Sequence, residues 1–352
     1  MNILYLSSHA VLEYDQTKLW TDLGYDVFSI GAYTNPQEPA VALRPAVPRA
    51  TYYRDLAELC HAQRIKHDGQ DIGYPIIDWA KADLHPDVVD WAETVIVDCY
   101  PESWIPLNWP KFTGKRVIWR TIGQSSPGNE ELLATYRPRG LEIVRYSPNE
   151  RVMPGFAGED ALIRFAKDPA DWYGWTGARA VIGNLAQHDG TPHARDPFLH
   201  WQWIEQATAG LPFEYGGPNS EKTGGIGALD YEAMRVWLRG IRAYVYSGTM
   251  PASYTLALIE AMMTGVPVVS IGKAAFGFGD LFEADEIAGE SANDALMTRL
   301  DLEQLLRSEQ IASLWSSRAR QRAIDLFGVE TIGKQWLDYL GAPVPKPEMV
   351  AA

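Results

Sequence analysis

Residues 243–272 read AYVYSGTMPASYTLALIEAMMTGVPVVSIG, and the signals run strand, loop, helix, strand. Val245 among tyrosines in 243–247 fits a buried strand, and residues 248–252 form a turn cluster containing Pro251. Ser253 or Thr255 supplies a cap for a helix that runs to about Thr264, where Gly265 and Pro267 stop it. Residues 268–271 make the next buried strand. Glu260 therefore falls two turns into a helix whose start faces the carboxyl ends of parallel strands. Open α/β sheets hold their ligands there. Free backbone N–H groups and the positive end of the helix dipole suit that start to a phosphate.

Working outward, the chain has 352 residues, 46% of them hydrophobic, enough for two cores. Buried-strand patterns are predicted at 2–7, 27–30, 94–98, 116–120, 141–147, 180–183 and 213–217. Helical patterns fall at 13–23, 53–64, 130–136, 198–209, 231–238, 294–307, 309–326 and 330–340. Residues 35–50 and 101–110 read as proline-rich loops, 154–178 as a connector and 342–352 as a disordered tail. The strand at 141–147 is expected to be the last of the first sheet. Cys60 and Cys99 have no metal or redox spacing and fit a reducing, cytoplasmic setting. No run reaches the apolar length of a membrane span, and no signal peptide precedes the first strand. A formal charge of −14 argues against a general polyanion-binding surface.

The run Glu260-Ala261-Met262-Met263-Thr264-Gly265-Val266-Pro267-Val268-Val269 resembles the donor-binding motif of retaining GT-B glycosyltransferases of the glycogen-synthase-like (family 4) type. The motif's first Glu lies eight residues upstream of its second, and Ala252 stands there; its aromatic-Gly pair becomes Tyr254-Thr255. The resemblance implies an α/β fold of GT-B type, two Rossmann-like domains facing each other across a cleft. It places an acceptor-side domain at 1–165 and a nucleotide-sugar-binding domain at 166–329. The helix at 330–340 would pack back onto the first.

The resemblance also implies roles. Glu260 would accept hydrogen bonds from the ribose hydroxyls, and the backbone of Tyr254, Thr255 and Leu256 would meet the diphosphate. Ala252 lacks the carboxylate that holds donor-sugar hydroxyls, which leaves Ser253, Thr249 and backbone groups for that task. The diphosphate clamp falls to Arg195, the permanent cation of the loop at 184–197, with His188 or His193 as a second cation and Lys222 and Lys273 as further candidates. Gly216 and Gly217 begin a glycine-rich loop (216–227) that would touch base or ribose. On the acceptor side, His9 follows the first strand and should face the donor. Asp98 ends the strand TVIVD, either orienting a sugar or acceptor hydroxyl or capping a turn. The DPAD run at 168–171 reads as a helix cap rather than a metal motif, and no zinc spacing or Ser-His-Asp signature is present.

The expected activity is transfer of a sugar, in the hexosyltransferase class, from a nucleotide-sugar such as a UDP-sugar to an acceptor hydroxyl. It would retain configuration and need no metal or other cofactor. Residues 111–145 are locally basic, seven Lys and Arg against three Glu. They are either ordinary solvated charge or a surface for a phosphate-bearing acceptor. A glycosyltransferase acting on hydroxymethylated bases of phage-type DNA is thus one alternative. A catalytically weak nucleotide-sugar binding protein and a GT-B epimerase are others. Small-molecule or glycan acceptors rank above DNA on charge.

Overall fold

The structure is a computed structural model that describes residues 1–7, 9–30, 66–67, 70–71, 76–78, 83–84, 86–98, 101–121, 125–186, 201–248, 255–270 and 295–343. These divide into two compact units. One comprises 1–146, 154–163 and the chain from Gly333 onward; the other comprises 147–153 and 164–332.

The first unit opens with β1 (Asn2–Leu6), α1 (Ala10–Asp22) and β2 (Asp26–Ile30). Gly24, at φ +90°, turns α1 back into β2 where an L-residue would be strained. Two short antiparallel pairs follow, β3 (Lys66–His67) with β4 (Gln70–Asp71), and β5 (Ile76–Asp78) with β6 (Asp83–Leu84). Then come α2 (Pro86–Trp91), β7 (Thr94–Asp98), α3 (Pro101–Asn108), β8 (Arg116–Arg120), α4 (Pro127–Tyr136), β9 (Leu141–Arg145) and β10 (Ala161–Leu162). The main sheet is parallel with order β10-β9-β8-β7-β1-β2. One face packs Leu4, Leu6, Val95, Val97, Val117 and Ile143 into an apolar core, as the near-continuous hydrophobic strands of a doubly covered parallel sheet require.

Two readings of this half need correction. Residues 101–110, expected as loop, are mostly the helix α3. Pro101 sits at its first position, where a missing N–H is harmless, and buried Trp104, Ile105 and Asn108 hold it despite Pro106 inside. The first sheet also does not end at 141–147, because Ala161–Leu162 pairs with Val144 and Arg145.

The second unit contains β11 (Arg179–Leu185), α5 (Trp201–Thr208), β12 (Phe213–Gly216), α6 (Tyr231–Gly240), β13 (Ile241–Tyr246), α7 (Leu256–Thr264), β14 (Val268–Ser270), α8 (Ala295–Arg307) and α9 (Glu309–Phe327). Its sheet is parallel with order β12-β11-β13-β14. Trp237 packs so tightly on β11 that a Cβ at Gly183 would lie 2.5 Å from its ring. A last helix, α10 (Val329–Leu340), passes into the first unit from Gly333. There Trp336 meets Trp20 edge-on with centroids 5.1 Å apart.

Residues 164–178, read as connector, are fastened along the second unit. Lys167 N–H donates to Phe327 O at 2.8 Å, Trp175 Nε1 to Ile241 O at 2.8 Å, and Thr176 N–H to Arg239 O at 2.9 Å. Asp168 accepts from Ala170 N–H at 2.9 Å and so caps a turn; no helix follows it. The helix expected at 53–64, the loop at 35–50, Cys60, Cys99 and residues 344–352 lie outside the described residues.

Candidate functional site

In the second unit residues 243–272 supply the carboxyl ends of β13 and β14 and the start of α7, and β11 lies beside β13. Thr255 is the N-cap: its hydroxyl accepts from Leu258 N–H at 3.2 Å. Its own N–H donates to the Tyr246 hydroxyl at 2.9 Å. Helix geometry leaves the N–H groups of Leu256 and Ala257 at the first turn without an intrahelical partner. Gly265, at φ +97°, ends α7, its N–H reaching Ala261 O and Met262 O. The hydroxyls of β13 remain protonated, because burial pushes Tyr244 and Tyr246 far up. Tyr244 accepts from Leu185 N–H at 2.9 Å and donates to Leu185 O at 3.1 Å.

Glu260 is not a surface glutamate. It is 2% exposed, and the fully buried Lys167 ammonium donates to its Oε1. The Trp172 ring centroid lies 5.8 Å from the Lys167 nitrogen. Two further polar atoms at this sheet edge, Asn184 Oδ1 and Ser270 Oγ, are buried with no hydrogen-bond partner. Gly216 and Gly217 have their backbone groups committed within the unit. Gly216 O accepts from Ala186 N–H at 3.1 Å, and Gly217 N–H donates to Gly227 O at 2.9 Å.

In the first unit, the carboxyl ends of β1, β7 and β8 gather a second polar group. Asp98 is fully buried, and its Oδ2 accepts from the Tyr5 hydroxyl at 2.6 Å and from Ser7 Oγ at 3.2 Å. Its Oδ1 is buried without a hydrogen-bond partner. Burial pushes the Asp98 carboxyl up to about 7, against the pull of the Tyr5 hydrogen bond and the Arg120 charge. Burial and the neighbouring Asp98 hold the Tyr5 hydroxyl well above its usual range. His9 joins the group through Ser7, whose Oγ accepts from His9 N–H at 3.2 Å. The His9 ring caps α1, its Nδ1 accepting from Leu12 N–H at 3.4 Å.

The structure thus gathers Thr255, Leu256 and Glu260 in one unit, and His9 and Asp98 in the other. Arg195, His188, His193, Thr249, Ala252, Ser253, Tyr254 and Lys273 lie outside the described residues.

No family model and no curated protein matches this chain. Solved structures do. A glycosyltransferase from Rickettsia africae superposes with a TM-score of 0.61 at 11% identity, over 96% of this chain and 97% of its own. Anabaena Alr3699/HepE, in complex with UDP and glucose, gives 0.59 at 12% identity over 97% and 100%. An alpha-glucosyltransferase in complex with UDP-glucose and DNA containing an abasic site gives 0.56 at 12% over 97% and 99%. TarM gives 0.53 at 16% over 70% of this chain, which spans about half of TarM's length, 54%. The fold is GT-B.

Within the first GT-B unit the basic stretch at 111–145 is engaged internally. Lys111 pairs with Asp83 and Arg137 with Asp160. Arg116 holds Glu142 through two hydrogen bonds of 2.8 and 2.7 Å. Arg145 holds Glu130 through two of 2.8 Å, both side chains fully buried. Arg120 is buried under Trp336, 4.9 Å from its ring centroid. Lys115 donates to Asp90 O at 3.0 Å, and Arg139 lies 5.0 Å from the Tyr136 ring centroid. Sequence reading missed Tyr5 and Lys167, because each stands 93 residues from the carboxylate it touches and neither lies in a motif.

Proposed function

We propose that the protein is a glycosyltransferase that takes a sugar from a nucleoside-diphosphate sugar, with the diphosphate at the start of α7 and the ribose at Glu260. The observation that carries this reading is α7 itself. In a GT-B chain, its capped N-terminus lies at the carboxyl edge of the second sheet, and Glu260 stands in its second turn. UDP is the first nucleotide to test, since HepE and the alpha-glucosyltransferase are both described with UDP or UDP-glucose.

The chemistry follows from the charge that must be stabilised. As the bond from the sugar's anomeric carbon to the phosphate oxygen breaks, negative charge grows on the departing diphosphate. The helix dipole, the N–H groups of Leu256 and Ala257 and the cation of Arg195 would receive it. The acceptor hydroxyl forms the new bond from the face the leaving group vacates, and its proton passes to the phosphate oxygen. That route retains configuration and requires neither a protein nucleophile nor a metal. Asp98, at the carboxyl end of β7, is the first-unit residue proposed to orient a hydroxyl of sugar or acceptor.

A small-molecule or glycan acceptor is favoured over DNA. The cations that would meet a phosphate backbone are engaged with Glu130, Glu142, Asp83 and Asp160 instead. The test is a thermal-shift panel of nucleotide-sugars followed by product analysis with and without acceptors. The reading expects one nucleoside-diphosphate sugar to raise the melting temperature and its sugar to appear on an acceptor in the presence of EDTA. Loss of transfer with EDTA and recovery with manganese would overturn the metal-free route. Isomerised donor without transfer would indicate an epimerase, and binding without turnover a binding protein.

A further inference from the structure

Lys167 carries a buried charge that the donor motif does not call for. Its side chain is fully buried and its ammonium donates to Glu260 Oε1. Its backbone is fixed to the end of α9 by the bond to Phe327 O and by a parallel bridge to Gly328. The turn that follows is clamped by one guanidinium, Arg320 of α9. It donates to Pro169 O at 3.1 Å, to Trp172 O at 2.5 Å and to Met263 O in the last turn of α7. Arg235 adds a bond of 2.8 Å to Asp171 O. Residues 167–172, α9 and α7 form one frame, so the ammonium has a fixed place relative to the helix that bears Glu260. In the second turn of α7, a glutamate has several staggered rotamers available. A charge-assisted hydrogen bond from a fixed donor selects one of them.

We propose that Lys167 is a positioning residue that sets the Glu260 carboxylate to read the ribose hydroxyls, so that preference for ribonucleotide over deoxyribonucleotide depends on Lys167 as well as on Glu260. This rests on the donor-site reading of Glu260. The pairing also supplies the counter-charge without which a carboxylate at this depth is strongly disfavoured. Lys167 itself touches no substrate.

The test is calorimetric titration of the full chain with UDP and with 2′-deoxy-UDP, alongside melting curves. The variants are Glu260→Gln, Lys167→Met and Lys167→Gln. The parent should prefer UDP by about tenfold or more, the range of a charged hydrogen bond. Glu260→Gln and Lys167→Met should each bring the two affinities to within about threefold of each other, with 2′-deoxy-UDP binding nearly unchanged. A lysine that only supports the fold would lower the melting temperature and weaken both nucleotides alike. An unchanged preference in Lys167→Met, with Glu260→Gln losing it, would overturn the inference while leaving the ribose reading intact. A parent without preference would overturn the ribose reading and the inference with it. Should Lys167→Met not fold, Lys167→Gln keeps a hydrogen-bond donor without the charge and is read by the same ratio.

Discussion

Asp98 has two oxygens in different circumstances. One is held by Tyr5 and Ser7, the other is buried and unbonded. Its carboxyl stands at about 7 in the fold, against about 4 in an unfolded chain. An acid raised in this way favours the fold fully below about pH 4, and that contribution is lost as pH rises toward 7. Asp98→Asn mimics the protonated acid. It should be more stable than the parent at about pH 8, by up to about 4 kcal/mol, with the gap narrowing toward about pH 5. Urea melts across that range check it, and a gap that does not change with pH would count against it. Glu260→Ala has a different signature. It removes one member of the buried Lys167–Glu260 ion pair, so it should cost about 3–5 kcal/mol of stability. Equal melts for parent and variant would contradict the pairing. The motif around Glu260 makes its place on the helix readable, but no local signal announces a partner 93 residues away. The same distance separates Tyr5 from Asp98. Contacts made by the tertiary fold, rather than by neighbouring residues, were the part that sequence reading could not reach.

Elements bounded by local chemistry were legible. α7 begins at the hydroxyl cap of Thr255 and ends at the left-handed Gly265, both signals present in the sequence. α3 was not legible, since its prolines mark a loop in sequence while buried Trp104 and Ile105 decide the outcome in space. The glycine-rich loop after β12 (Phe213–Gly216) separates two kinds of glycine. Gly217 has φ +124°, and a Cβ there would lie 1.8 Å from Ala186 O, a backbone atom that cannot swing aside. Gly224 has φ +93° but its nearest neighbour, the Tyr215 hydroxyl, is 3.8 Å away. Both substitutions to Ala should carry backbone strain of ~1 kcal/mol or more. Only Gly217→Ala should add an overpacking cost of about 1–3 kcal/mol. Urea midpoints that fall equally in the two variants would show that Ala186 O does not confine the loop.

Across the whole molecule, charge separates the acceptor readings. The chain carries −14 overall, and four ion pairs in the first unit occupy cations that a polyanion would need. Among the described residues no helix is long and apolar enough to cross a membrane. Transfer to a neutral acceptor should therefore change little between low and moderate salt. A DNA acceptor held by several phosphate contacts would lose roughly three orders of magnitude or more in affinity. Steady-state rates at two salt concentrations decide between them, and a steep fall would promote the DNA reading. The claim on which the rest depends is that α7 and Glu260 form a nucleotide site. Its most direct measurement is calorimetric titration of UDP into the full chain and into the isosteric Glu260→Gln variant. Saturable binding, weakened about tenfold to a hundredfold in the variant, is the expected result. Equal affinity in the two proteins, or no saturable binding of UDP or any other nucleoside diphosphate, would contradict it.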